Sequence, residues 1–268
     1  MLNVKNGTIT IEGSDVHYNV FGKGTENLVL IPGLSDGLRT VKGLALMMAA
    51  NYKHFSRRYR VWIFSRGMNL AESVTTRDMA RELALAMDAV GIDKAKVMGL
   101  SQGGMIAQWL AIDFPEKVTK LAIIVSAARA HETLKTGITR WIKLCEDRRY
   151  GELSVDTMEK TYTEKKMKKL RPVMFLIKML SKPKLPERFI KQAQAVLNHD
   201  AYNELGNIKC PCLVIGGGRD LVVGGREVQE ELAGGIPESS LHVYPELGHA
   251  AFEEAEDFNN RVLDFFQN

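Results

Sequence analysis

Ser101 lies in a G-x-S-x-G motif and is the first candidate for a nucleophile in this chain. Apolar residues precede the motif and an apolar periodic run follows it, which predicts a sharp turn from a buried strand into a helix. Such a turn strains the backbone and pushes the serine hydroxyl out of the sheet. Gly99 and Gly103 fit this turn because the residues flanking the serine crowd together and a glycine has no Cβ to clash. The alternative interpretation is a glycine-rich turn that matches the motif by chance.

A serine hydroxyl is a poor nucleophile at neutral pH, so it needs a base and an acid that orients the base. Asp220 follows a predicted strand, 212–215, through a run of glycines, and His249 follows the last predicted strand and precedes a helix. Because the carboxyl ends of parallel strands meet at one edge of a sheet, Ser101, Asp220 and His249 are all expected there. Otherwise Asp220 is an ordinary turn aspartate and His249 an ordinary residue at a helix start.

The other histidines and acids are weaker candidates for the base and the acid. His17 lies in a predicted N-terminal hairpin, and His242 lies inside the last predicted strand. Asp113 is near the end of the helix that follows the serine, so it is expected to lie away from it. The strand that ends at Val125 is followed only by serine and alanine, so it supplies no carboxylate. Three further histidines follow no strand of the predicted sheet: His54, His131 and His199.

Apolar runs alternate with helical patterns along most of the chain. Unbroken runs such as 28–31 are typical of strands covered on both faces, and their alternation with helices predicts an α/β fold with a mostly parallel sheet. A hairpin is predicted at the N-terminus, with its turn at residues 13–15. The other predicted strands are 60–64, 96–100, 121–125, 212–215 and 241–244. The predicted helices span about 40–55, 76–90, 102–114, 226–233 and 251–266.

The alternation breaks between residues 129 and 198, where helical patterns continue without a convincing buried strand. The stretch 129–191 carries 17 Lys and Arg against 8 Asp and Glu, a net charge of +9 in a chain of +4. A basic helical insertion after the sixth strand is typical of a lid, although most of its lysines are simply a solvated face. We therefore predict a core in two parts, 1–128 and 199–268, and a lid domain, 129–198, that roofs the catalytic edge.

The composition narrows the classes to which this protein can belong. A chain of 268 residues, 45% of them apolar, suffices for one large α/β domain with an insertion, and its net charge of +4 gives no overall sign of binding to nucleic acid or to a membrane surface. No apolar run approaches membrane-spanning length, and residues 1–7 lack an apolar signal region, so a reduced, cytoplasmic compartment is the default expectation. Cys145, Cys210 and Cys212 predict neither a disulfide framework nor a zinc site, and Cys212 is predicted to be buried in a strand.

Together these features resemble the α/β-hydrolase superfamily, in its lid-bearing esterase, lactonase and C–C hydrolase branch. The resemblance rests on residues 99–104, 217–220 and 248–249, on the loop 32–34 and on the chain order Ser…Asp…His, and it covers nearly the whole chain. It implies an oxyanion hole formed by the backbone amides of Leu34 and Gln102.

Two departures from this family pattern bear on specificity. The chain has Pro32-Gly33 where many relatives have His-Gly, so the imidazole that would position the oxyanion loop is lost. It also has Phe64 where many relatives have an aspartate two residues before an Arg-Gly pair. Both departures weaken the transfer of any one subfamily's specificity to this chain.

The sequence thus predicts an enzyme that hydrolyses a small carboxylic ester through an acyl-enzyme on Ser101. His249 would act as base and then as acid, and Asp220 would hold the imidazole. No cofactor or metal is implied, and the predicted partner is a small-molecule substrate of ester type, with the oligomeric state left open. The same triad could instead cleave a lactone, a thioester or a carbon–carbon bond, or support cofactor-free peroxidase chemistry. A non-enzymatic ligand-binding or receptor protein of the same fold is the third alternative.

Overall fold

Eight strands form one sheet in the computed structural model, which describes residues 4–268. The strands are β1 (Lys5–Ile11), β2 (Ser14–Phe21), β3 (Glu26–Ile31), β4 (Tyr59–Phe64), β5 (Ala95–Leu100), β6 (Val118–Ile124), β7 (Cys212–Gly217) and β8 (Ser239–Tyr244). Their order across the sheet is β1-β2-β4-β3-β5-β6-β7-β8. β2 pairs antiparallel with β1 and with β4, and all other neighbours are parallel. The predicted mostly parallel α/β sheet is confirmed.

Helices connect the parallel strands and cover the sheet. The α-helices in the described residues are α1 (Ala45–Asn51), α2 (Lys53–Ser56), α3 (Thr76–Ala89), α4 (Gln102–Asp113), α5 (Glu132–Glu146), α6 (Tyr150–Thr161), α7 (Glu164–Leu180), α8 (Pro186–Leu197), α9 (Arg226–Gly234), α10 (Ala251–Glu254) and α11 (Phe258–Gln267). Short 3₁₀ helices occupy Leu34–Gly37, Pro115–Lys117 and Tyr202–Asn207.

Both faces of the sheet are buried at its central strands, as the unbroken apolar run in β3 predicts. Side chains of a strand point alternately to its two faces. Val29 and Ile31 belong to one apolar cluster, beneath α3 and α4, while Leu28 and Leu30 belong to a second cluster beneath α11. Strands covered in this way cannot move relative to each other, so their carboxyl ends form a rigid edge for the side chains that follow them.

Two predicted boundaries near the N-terminus are wrong, each because of a positive backbone angle. The hairpin turn is Glu12-Gly13, with φ of 48° and 81°, and Ser14 and Asp15 belong to β2 rather than to the turn. Positive φ at both central residues is typical of the two-residue turn that matches strand twist. The helix predicted at 40–55 begins only at residue 45, because Gly43 has a φ of 78° and cannot continue a right-handed helix.

The prediction of one continuous helix over 251–266 is also wrong, because the structure divides this stretch into α10 and α11. Ala255 takes an extended conformation, with ψ of 123°, and ends α10. The hydroxyl of Tyr244 donates to Asp257 Oδ1 over 2.7 Å, which holds the start of α11 against the end of β8. This contact joins residues that are distant in sequence, so the helical pattern alone did not reveal the break.

Four helices, α5 to α8, fill the stretch between β6 and β7 for which a lid was predicted. The two ends of this stretch lie side by side, because Ala130 N donates to His199 O and Ala201 N donates to Ala128 O. We propose that the chain is divided here into the predicted core and lid. The first three residues of the predicted core, 1–3, lie outside the described residues.

All three cysteines are buried and free of disulfide bonds, in agreement with the prediction that Cys212 is a buried strand residue. Burial raises the pKa of the Cys145 and Cys210 thiols to about 11, so neither is a reactive thiolate at neutral pH. Residues 4–268 contain no cluster of three or more potential ligands suited to a metal ion. In the same range no helix is both long and apolar enough to cross a lipid bilayer.

Candidate active site

Ser101 stands at the junction of β5 and α4 with φ of 53° and ψ of −118°, a conformation that non-glycine residues rarely adopt. The glycines around it are required by close backbone approaches. A Cβ on Gly99 would collide with Gly103 O, and a Cβ on Gly103 would collide with Ile31 O. Ser101 is held in place by its own amide, which donates to Ile124 O over 2.8 Å. The strained turn therefore presents the hydroxyl beyond the sheet edge, as the motif predicts.

The structure brings the three predicted triad side chains together. His249 Nε2 lies 2.9 Å from Ser101 Oγ, and His249 Nδ1 lies 2.7 Å from Asp220 Oδ2. Asp220 Oδ1 accepts hydrogen bonds from the amides of Val222 and Val223, at 2.7 and 3.0 Å. Because the carboxylate can only accept, Nδ1 carries the proton and Nε2 is free to accept one from the serine.

The weaker candidates do not join this group. His17 lies in β2, where Nδ1 is 3.1 Å from Thr8 Oγ1, and His199 Nδ1 is 2.8 Å from Thr76 Oγ1. Asp113 is bound by Arg77 at the surface. Asp220 and His249 are 3% and 8% exposed, so the base and the acid are shielded from bulk water while the serine remains accessible from a cavity.

The backbone amides of Leu34 and Gln102, predicted to form the oxyanion hole, are both free. Each is the first residue of a helix, where an N–H has no partner within the helix. Neither N–H donates a hydrogen bond to another group in residues 4–268. The loop before Leu34 approaches the serine closely, since a Cβ on Gly33 would lie 3.3 Å from Ser101 Cβ. Both amides are thus available to an oxygen bound beside the serine.

Arg66, which the sequence analysis named only as part of an Arg-Gly pair, lies under this loop. Its Nη2 donates to Gly33 O over 3.2 Å and to Gln102 Oε1 over 2.6 Å, and it also donates to Pro32 O. The side chain is only 3% exposed, and burial lowers the pKa of Arg66 to about 10, so it stays charged at neutral pH. The guanidinium fixes the loop that the missing imidazole was expected to leave unsupported. The only sequence signal was the position of Arg66, two residues after the end of β4, and its burial could not be read from the sequence.

A second buried arginine ties the predicted lid to the same loop. Arg188 of α8 donates to the Asp36 carboxylate over 2.6 Å and to the carbonyls of Arg66 and Gly67 at 2.6 and 2.9 Å. Burial raises the pKa of Asp36, but the guanidiniums of Arg188 and Arg66 outweigh it, so the carboxyl has a lowered pKa and stays ionised. The loop that carries Leu34 is therefore held between the core and α8.

A cavity of about 440 Å³ opens onto Ser101 and His249. Its wall is mainly apolar, and both the core and the insertion contribute to it. Arg39, an exposed residue at this cavity, is the one cationic lysine or arginine among the described lining residues. The apolar lining includes Leu30, Leu34, Val41, Leu44, Met48, Leu100, Met105, Val222 and Phe252 from the core and Leu134, Ile138, Trp141, Met158 and Val196 from the insertion.

A sequence model described as the alpha/beta hydrolase fold matches residues 26–256, which is most of the chain. The chain belongs to the α/β-hydrolase family. The predicted superfamily and the prediction of a hydrolase enzyme are thereby confirmed. The matched range includes all three triad candidates and both candidate oxyanion donors.

Two curated relatives of this α/β-hydrolase carry the same name. A 2-hydroxy-6-oxononadienedioate/2-hydroxy-6-oxononatrienedioate hydrolase from Paraburkholderia phymatum is 30% identical over 262 residues, covering 93% of this chain and 90% of the relative. A protein of the same name from Dechloromonas aromatica is 27% identical and covers 98% of this chain and 93% of the relative. Both relatives are thus matched over nearly their full length.

Solved structures agree on the fold of this α/β-hydrolase. An alpha/beta hydrolase enzyme from a Medee basin deep-sea metagenome library superimposes with a TM-score of 0.84 at 20% identity, covering 98% of each chain. An enol-lactonase from Burkholderia xenovorans superimposes with a TM-score of 0.83 at 21% identity, covering 98% of this chain and 100% of its own. At these identities the likeness is evidence for the fold alone.

Proposed function

We propose that this α/β-hydrolase cleaves a small carboxylic ester through a Ser-His-Asp triad and an acyl-enzyme intermediate. The observation that carries the proposal is the pair of hydrogen bonds linking Ser101 Oγ to His249 and His249 to Asp220, at 2.9 and 2.7 Å. This geometry meets the requirement for an activated nucleophile, a base in hydrogen-bond reach and a third group that orients the base.

The proposed reaction has two halves. Ser101 Oγ attacks the ester carbonyl and gives its proton to His249 Nε2. The tetrahedral intermediate then expels the alcohol, which takes that proton from His249, and leaves an acyl group on Ser101. Water attacks this acyl group, His249 accepts a proton from the water and returns it to Ser101, and the carboxylic acid leaves. Asp220 stays ionised throughout and stabilises the imidazolium.

The developing negative charge on the carbonyl oxygen would be stabilised by the amides of Leu34 and Gln102. Each such donor is worth on the order of 3 kcal/mol in the transition state. Both amides belong to segments that Arg66 holds in place, so they do not need to reorganise when the charge appears. These residues supply every role that ester hydrolysis requires, without a cofactor.

The cavity favours a substrate with an apolar acyl group. Its size suits a small molecule, and a mainly apolar wall gains free energy by removing hydrocarbon from water. We propose that residues 129–198 act as the lid that closes this cavity, because Ile138, Trp141 and Met158 line it from the insertion. Chain length of the acyl group is then selected between lid and core.

Hydrolysis of a carbon–carbon bond is the second candidate. The relatives' name describes a hydroxy-oxo acid with two carboxylates and no ester, so its hydrolysis must break a bond beside the ketone. Arg39, which forms no ion pair within residues 4–268, could accept one such carboxylate at the cavity. The described lining residues include no second lysine or arginine that could bind the other carboxylate. We therefore rank an ester above this dicarboxylate as the substrate.

The experiment offers the purified protein a series of chromogenic esters of increasing acyl length and, in parallel, a 2-hydroxy-6-oxo dienoic acid. We expect ester turnover that Ser101→Ala and His249→Ala each abolish almost completely, while Asp220→Asn retains more activity, since triad members act as one unit. A covalent acyl adduct on Ser101 should appear in intact-mass spectra during turnover.

Three results would contradict this proposal in different ways. Turnover of the dienoic acid without ester turnover would assign the second candidate. Tight binding of both compound classes without any turnover would identify a ligand-binding protein. Full activity of Asp220→Asn would show that Asp220 is not the acid that orients His249.

A further inference from the structure

The outward face of α7 carries large apolar side chains that the protein leaves in water. Phe175 is 74% exposed, Leu180 is 70% exposed and Met179 is 66% exposed, and Val173 and Leu176 are also exposed. Five of the nine large exposed apolar side chains of the described chain therefore lie within eight residues of one helix. Scattered exposed apolar residues are ordinary, but a contiguous group of this kind marks an interaction surface.

These five residues lie on one side of the helix. At about 100° per residue they fall in a sector of about 160°, while Met167 and Met174 project from the opposite side. Met167 is buried, and α7 packs against α6 of the insertion. The inner side of α7 is thus already occupied by the protein, and the outer side is free.

Lysines occupy the same outward face nearer the start of the helix. Lys165, Lys168 and Lys169 are exposed and fall in the same sector, and Lys182 and Lys184 follow the helix directly. None of these five lysines lies within salt-bridge distance of a carboxylate in residues 4–268. The apolar turns are therefore bracketed by positive charges that form no salt bridge within the described part of the chain.

We propose that this face of α7 docks the enzyme onto an anionic lipid surface. The headgroups of such a surface carry negative charge directly above an apolar layer, which matches unpaired lysines that bracket Leu176, Met179 and Leu180. A second copy of the chain fits less well, because a two-fold contact would bring both sets of lysines together without any free acid on the face. The inference goes beyond the proposed function and does not depend on which bond the enzyme cleaves.

Docking would place the insertion, rather than the sheet, against the lipid. α6 lies between α7 and the cavity, and it lines that cavity with Thr157, Met158 and Thr161. Lys184 N donates to Leu38 O over 3.2 Å, so the chain leaving α7 is held beside the loop that follows the oxyanion segment. The docked face is thus separated from the active site by a single helix, and substitutions on it leave the triad intact.

The test measures co-sedimentation of the full chain with vesicles of phosphatidylcholine alone and of phosphatidylcholine mixed with phosphatidylglycerol. We expect binding to the anionic vesicles only, weakened by added salt. The double variant Leu176→Ser/Leu180→Ser and the double variant Lys168→Glu/Lys169→Glu should each weaken it by at least about tenfold. Matched controls are the double variants Leu46→Ser/Met47→Ser and Lys23→Glu/Lys53→Glu, which change exposed apolar residues and exposed lysines elsewhere. Thermal unfolding serves as the folding control for every variant.

Several outcomes would overturn the proposal. It fails if neither vesicle type binds the protein, if both bind it equally, or if the α7 variants bind as well as the controls. Sedimentation velocity without lipid provides the remaining check. If the wild type is a dimer and the Leu176→Ser/Leu180→Ser variant is a monomer, the face binds a second copy of the chain instead.

Discussion

Arg66 Nη2 lies 2.6 Å from Gln102 Oε1, so one buried guanidinium reaches the residue that follows the proposed nucleophile. The same nitrogen donates to Gly33 O over 3.2 Å. The Gly33 carbonyl and the Leu34 N–H share one planar peptide unit, so a bond to the carbonyl also fixes the direction of the N–H. Arg66 therefore holds the peptide unit that carries the Leu34 N–H and the side chain of Gln102, although it does not itself line the cavity.

Replacing Arg66 should lower turnover more than substrate binding. We expect Arg66→Met to reduce kcat by about ten- to a hundredfold with little change in KM, because misaligned donors weaken only the transition state. Asp36 keeps its 2.6 Å bond to Arg188 in this variant, so the buried carboxylate is not left unpaired. Steady-state kinetics with one activated ester and thermal unfolding provide the readout. The exposed Arg226→Met is the matched control. A kcat equal to wild type would show that Arg66 is merely structural.

The Leu34 amide can be removed with little disturbance of the loop. Leu34 begins a 3₁₀ helix, where proline is tolerated, and Gly33 before it is extended, with ψ of −168°, as a residue before proline prefers. We expect Leu34→Pro to reduce kcat by about a hundredfold or more, since it deletes an N–H donor. Leu34→Met keeps the amide and should remain within an order of magnitude of wild type. Unchanged kcat in a folded Leu34→Pro protein would exclude this donor.

Local sequence patterns were sufficient to place the three triad candidates. Ser101, Asp220 and His249 each follow an apolar run, and the carboxyl ends of parallel strands meet at one edge. The single assumption of a parallel sheet therefore relates residues that are up to 148 positions apart. The central strands could be predicted for the same reason, since a strand buried on both faces is continuously apolar.

The residues that support the site could not be predicted in this way. Arg188 lies 152 positions from Asp36, on a helix whose pattern resembles any other amphipathic helix. Charged side chains are usually exposed, and the sequence analysis assigned most lysines of this insertion to a solvated face without singling out Arg188. The burial of Arg188 depends on how α8 packs against the loop that carries Leu34, where a Cβ on Gly37 would lie 2.8 Å from Phe189 Cα. No local period or motif encodes such a contact.

His199 should make stability depend on pH. Burial lowers the pKa of His199 to about 3, from 6.5 for an exposed histidine. Between pH 6.5 and pH 3 the unfolded chain therefore binds a proton at His199 that the folded protein does not bind. The stabilising contribution of neutral His199 is complete above pH 6.5 and is lost as the pH falls toward 3. The free energy of unfolding should decrease by up to about 1.4 kcal/mol per pH unit in this window.

Urea unfolding of wild type and His199→Gln between pH 8 and pH 5 tests this dependence. The variant should show a flatter pH profile, although burial also lowers the pKa values of His17 and His242 and these keep a residual slope. The exposed His54→Gln is the matched control and should keep the full slope of wild type. Equal slopes for His199→Gln and wild type would mean that His199 titrates alike in both states.

Met158 should control the acyl-chain length that the enzyme accepts. It lines the cavity from α6 and is only partly buried, so substitutions there need not disturb the fold. We expect Met158→Trp to fill part of the cavity and reduce kcat/KM for long acyl esters by about tenfold, while short esters are little affected. Met158→Ala should shift the preference toward longer chains. Met174, a partly buried methionine of the neighbouring helix α7 that does not line this cavity, supplies the controls Met174→Trp and Met174→Ala. If the Met158 and Met174 variants keep the same chain-length profile, the insertion does not shape the acyl site.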